Sequence, residues 1–134
     1  MTVLAANIKW VMLVAGVLTC SMFFALLAPQ SALQNTFGQG LDGPVAEIVV
    51  RNWGALIGIG GVLLIYGAFY EPARRVALAT TAASKLVFIA LVLTYGRQFL
   101  GYQAGIAVVG DAIMVAIFAA YLLGSQSADG EVRK

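Results

Sequence analysis

Two oppositely charged residues stand in the middle of long apolar runs, Lys85 and Asp111. A charge at the centre of a membrane helix costs roughly 2.5–3.5 kcal/mol even on the lenient insertion scale, so it normally turns inward to a partner or serves a ligand or ion. Arg51 and Glu47 form a second pair of opposite sign, four residues apart and so one helical turn from each other. Asn52 lies beside them, and Thr80, Thr81 and Ser84 bring hydroxyls close to Lys85. Together Glu47, Arg51, Asn52, Lys85 and Asp111 describe a candidate ligand or ion pocket. A cation in such a place holds a carboxylate, binds an anion, or polarises the carbonyl or phosphate of a lipid-soluble molecule.

Other chemistry is narrowed by what the chain lacks. It has no histidine and one cysteine, Cys20. This removes bis-histidine haem, the usual zinc and copper sites, histidine proton relays and two-cysteine redox exchange. No metal site and no cofactor is expected, and no familiar catalytic constellation is present, so whether the chain is an enzyme stays open. Gly58, Gly60 and Gly61 superficially suggest a phosphate loop, but they fall inside an apolar stretch, where close packing is the better reading.

The elements that carry these residues follow from composition. Of 134 residues, 61% are hydrophobic and 10% charged, against about 25% charged in a soluble domain. So few charges cannot cover a water-soluble surface, which excludes soluble, disordered and nucleic-acid-binding classes. The expectation is one all-α integral membrane domain over 1–134, an antiparallel four-transmembrane-helix bundle with helices at about 10–28, 44–69, 73–95 and 103–123. Pro29 ends the first span, and Pro44 and Pro72 suit helix starts. The spans are too long and too evenly apolar for barrel strands. The first exceeds a signal-peptide core and lacks a clear small-x-small site after it, so it is expected to be retained.

Basic residues set the orientation. Lys9, Arg74, Arg75, Arg133 and Lys134 fall on one side, Arg51 and Arg97 on the other. Both termini are therefore expected to be cytoplasmic, in a multi-pass protein of the cell inner membrane. At 1.5 Å per residue from the outer end, Lys85 lies roughly 15 Å deep and Asp111 roughly 12 Å, nearly one level on adjacent helices. Gly54, Gly58 and Gly61 share one face of the second helix and are expected to pack against a neighbour. Arg51 projects from that face, which places it inside the bundle. The polar stretch 30–43 is long for a connection and reads either as a solvent loop or as a lid or binding loop.

With these residues in view, the chain resembles the DoxX-like superfamily of small four-helix bacterial membrane proteins. The likeness rests on length, four spans, a long first outer loop, and the run Arg51, Asn52, Trp53, Gly54, Gly58, Gly60, Gly61. Gly96-Arg97 at the end of the third helix and the acidic Asp111 in the fourth are similar too. Some relatives are membrane subunits of quinone-linked oxidoreductase systems, which implies Arg51, Arg97 and Asp111 as matched site residues. Lys85 has no counterpart in that pattern.

Three functions compete on the sequence. The first expectation is an accessory or scaffolding subunit of a larger membrane complex, because four short helices leave little room for independent machinery. The second is an oligomeric transporter or channel for ions or small molecules. The third is a membrane binder or enzyme for a lipid-soluble substrate such as a quinone. The expected partners are the lipid bilayer, a homo-oligomer or larger complex, and a lipid-soluble small molecule, with no nucleic acid. The occupant of the outer pocket separates them: a dry paired site favours a subunit, a wet continuous path favours transport, and an apolar cleft open to lipid favours binding.

Overall fold

The computed structural model describes residues 2–132 and is helical throughout, with no strand among the described residues. Arg133 and Lys134, counted among the basic residues of the C-terminal tail, lie outside the described residues. Six α-helices follow in order: α1 Thr2–Cys20, α2 Phe23–Leu27, α3 Pro29–Phe37, α4 Pro44–Phe69, α5 Glu71–Tyr95 and α6 Gln103–Val132. A single 3₁₀ turn, Arg97–Phe99, joins α5 to α6. Four stretches are long and apolar enough to cross a membrane: Val3–Leu27, Pro44–Phe69, Glu71–Tyr95 and Gln103–Val132.

The prolines act where backbone chemistry permits them, in the first turn of α3, α4 and α5, where an N–H has no intrahelical partner. Pro29 therefore does not end helical structure. It starts α3, so residues 30–37 of the expected loop are helical, and only 38–43 connect as a loop. Gly38 closes α3 in the left-handed conformation at φ 72°, its N–H bonded to the Gln34 carbonyl at 2.9 Å. The first span is interrupted at Ser21-Met22, where hydrogen bonds tighten to three-residue spacing, from Ser21 N–H to Leu18 and from Met22 N–H to Thr19.

Two other boundaries differ from the sequence expectation. Helix α1 begins at Thr2 rather than near residue 10, and α6 continues past residue 123 to Val132. The polar tail has no proline to stop it. Ser125 and Ser127 return their hydroxyls to the Leu122 and Leu123 carbonyls, and Ser125 accepts a 2.5 Å bond from the Arg75 guanidinium of α5. At the α4–α5 junction Arg74 donates to the Gly67 and Ala68 carbonyls at 3.2 and 3.1 Å. These are carbonyls of the last turn of α4, which has no further turn to satisfy all of them.

Packing runs α1 on α4, α4 on α5 and α5 on α6, with α2 also on α4. The core gathers at one end of the long helices. Ile8 and Met12 of α1, Leu64 of α4, Leu78 of α5 and Phe118 of α6 are fully buried there. At the other end an aromatic cluster ties the short elements down: Phe37 of α3 lies edge-on to Phe99 at 5.4 Å and beside Trp53 at 6.1 Å.

Candidate functional site

The glycine face of α4 meets α1 and α2 at backbone distance. A Cβ on Gly61 would stand 2.6 Å from the Cys20 nitrogen and 2.7 Å from the Gly16 carbonyl oxygen. One on Gly58 would meet the Phe23 ring at 2.7 Å, and one on Gly54 the Met22 carbonyl at the same distance. Only hydrogen fits, which is how small residues let membrane helices approach. Arg51 follows this face. Its guanidinium donates to the Leu26 carbonyl near the end of α2 and to Glu47 at 2.8 Å.

That direction takes Arg51 away from Lys85. At 100° per residue, the face holding Arg51, Gly54, Gly58 and Gly61 lies about 115° around α4 from the one holding Trp53, Ile57 and Gly60. The second face borders a cleft of about 610 Å³ between α1, α4, α5 and α6. Lys85 and Asp111 both line it, as do Thr80, Thr81 and Ser84. Glu47, Arg51, Asn52 and Arg97 do not. Asn52 is exposed, Glu47 is held by Arg51, and Arg97 turns back to the Leu93 carbonyl at 2.8 Å. The six polar candidates therefore divide, with only Lys85 and Asp111 at the cleft. The glycine spacing identified the face of Arg51 but not which neighbour it would meet.

Lys85 donates from Nζ to Asp111 Oδ1 at 2.7 Å. The lysine side chain is 8% exposed and the aspartate 18%. Thr81 and Thr19 return their hydroxyl protons to the Ala77 and Ala15 carbonyls one turn back, so toward the cleft each offers only acceptor lone pairs. The rest of the wall is mainly apolar, with Trp53, Ile57, Phe88 and Met114 prominent. Leu18, Leu56, Ile59 and Ile106 also line the cleft while each stays more than half exposed, so its rim opens onto the apolar outside of the helices. Leu63 and Met114 close the other end, where they pack against the core.

The sequence reading missed several lining residues. Ser21 and Met22 reach the cleft because the first span breaks there, and Thr36 because α3 folds back over the helix ends. A smaller cavity of about 290 Å³ adjoins it, sharing Ser21, Met22, Thr36 and Gln103 and adding Asn35. The available signal was weak: one serine inside an apolar run, and a polar stretch after a proline. Among the described residues no group of acidic residues and cysteine is arranged to hold a metal ion. No family model, curated protein or solved structure matches the chain. The cleft's chemistry therefore rests on its own residues.

Proposed function

We propose that this chain is a multi-pass inner-membrane protein that binds a lipid-soluble small molecule in the cleft between its helices. In this reading the bundle is antiparallel with both termini cytoplasmic, and the cleft lies in the outer half. The observation that carries it is the cleft itself: about 610 Å³, mainly apolar, rimmed by exposed aliphatic residues, with one buried ion pair in its wall. Ligand sites commonly have this volume and this balance of an apolar wall with a few placed polar groups. A quinone is one class whose apolar body suits this wall. Transport has less support, because Met12, Leu64, Leu78 and Phe118 are buried together in the apolar core beyond the cleft. Membership of the DoxX-like superfamily remains a proposal, and of its matched residues only Asp111 stands at the cleft.

Gly110 lines the cleft, and a Cβ there would meet nothing within 4 Å. Gly110→Phe should therefore fill the cleft without disturbing the helix contacts. Wild-type protein purified in mild detergent should carry an extractable small molecule, identified by mass spectrometry, that Gly110→Phe lacks. Equal amounts in both, or none in the wild type, would remove the binding role.

An accessory or scaffolding subunit is the second reading, and α6 favours it. Only 6% of its apolar stretch is buried within the chain, against 28–33% for the other three spans. Its outer surface is free for a partner helix, from a second copy or from a larger complex. Native mass spectrometry that finds only monomer after gentle extraction would remove this reading.

A further inference from the structure

We propose that the occupant of the cleft binds through an uncharged hydroxyl head seated on the Lys85–Asp111 pair, with a long apolar body along α4 and α6. The inference rests on the binding role proposed above and names the ligand's chemical class.

The argument begins with hydrogen bonds left over. An ammonium has three N–H donors. Among the described residues Lys85 spends one, on Asp111 Oδ1, and Asp111 Oδ2 has no side-chain partner. The pair thus offers both donors and an acceptor side by side at the cleft wall. A hydroxyl accepts from one and donates to the other, and it satisfies both at once. Thr81 adds a further acceptor, its own proton being spent on Ala77.

Charge makes the same selection. Lys85 and Asp111 cancel, and neither is open to water as a surface residue would be. An anionic head on Lys85 would stand within a few ångströms of the Asp111 carboxylate, and a cationic head on Asp111 would face the Lys85 ammonium. Like charges at that range repel strongly where the surroundings screen poorly. A neutral head meets no such penalty. A ketone or ester accepts from Lys85 but has nothing to donate to Asp111, so it uses half of the site.

The body follows from the wall. Trp53, Ile57, Phe88 and Met114 leave no charge along it, and the lining of α4 runs from Trp53 to Leu63, about 15 Å at 1.5 Å per residue. A body longer than this leaves over the exposed aliphatic rim into lipid.

Trp53 supplies the readout. The chain has two tryptophans; Trp10 is exposed and outside the cleft, Trp53 is in its wall. With Trp10→Phe, the full chain in detergent is titrated with bromine-labelled stearyl alcohol, stearate and stearylamine, whose bromines quench an indole they touch. The alcohol should quench Trp53 saturably, at a concentration about tenfold below either charged probe, since a site built to hydrogen-bond a hydroxyl discriminates against heads that cannot match it. Unlabelled stearyl alcohol should reverse the quenching. The double variant Lys85→Met, Asp111→Leu should still bind but lose the preference for the alcohol. Equal or tighter binding of stearate or stearylamine overturns the hydroxyl head and leaves the cleft a binding site. Saturable quenching by none of the three overturns both. The comparison of probes needs no change at the pair, so it decides the question even where the double variant does not fold.

Discussion

The Lys85 ammonium and the Asp111 carboxylate meet at 2.7 Å across α5 and α6, twenty-six residues apart in the chain. Each is the answer to the other's desolvation. A buried charge left alone is costly, while a hydrogen-bonded pair of opposite charges offsets much of that cost.

The pair should therefore behave non-additively. Lys85→Met or Asp111→Leu alone should destabilise by about 3 kcal/mol, because the survivor stays in the wall without its counter-charge. The double variant should recover most of that loss. Thermal unfolding of all four proteins in one detergent checks this. Harmless single variants would mean that the pair contributes little to the fold.

Glycine substitutions should sort by what faces them. Gly61→Ala sets a Cβ against the backbone of Cys20 and Gly16, and backbone cannot turn aside, so a loss of about 1–3 kcal/mol is expected from overpacking. Gly110→Ala meets open space and should be neutral or stabilising by up to about 1 kcal/mol, the helix-propensity gain of alanine. Melting temperatures in the order Gly110→Ala, wild type, Gly61→Ala express this, and the reverse order would refute the close approach of α1 and α4.

Arg51 tests the structure against the family resemblance. Its bonds go to Glu47 and the Leu26 carbonyl, and the side chain is 40% exposed. Arg51→Met should lower stability by about 1 kcal/mol, mostly through the lost carbonyl bond, since exposed ion pairs contribute little. Occupancy of the cleft should not change. A folded Arg51→Met protein that has lost its bound molecule would restore Arg51 to the site.

Topology has its own check. Reporters fused after residue 134 and inserted at Gly40, in the connection between α3 and α4, should report opposite sides of the membrane, the C-terminal one cytoplasmic. Both on one side would remove the orientation and the outer placement of the cleft.

Much of this molecule was legible in local sequence. The four spans follow from apolar runs whose length matches a bilayer, with prolines where a helix can begin. Lys85 and Asp111 could be placed at one level because helical rise is constant, and their charges named them as partners. The glycine face followed from the spacing of Gly54, Gly58 and Gly61. These are properties of one helix at a time, or of two helices compared by length.

Relations among three or more helices were not legible. Periodicity put Arg51 with the glycines but did not say that this face meets α2, because the break at Ser21-Met22 that creates α2 has no strong local signal. The nine residues of α3 carry few apolar groups and read as loop in the sequence, and their helicity is supported by burying Pro29, Ala32 and Leu33. The polar end of α6 gains its bond from Arg75 of α5. The cleft is the furthest from sequence of all. It is the volume left where four helices pack tightly at one end around Phe118 and part at the other, and a gap between helices is a property of their arrangement, which no single residue encodes.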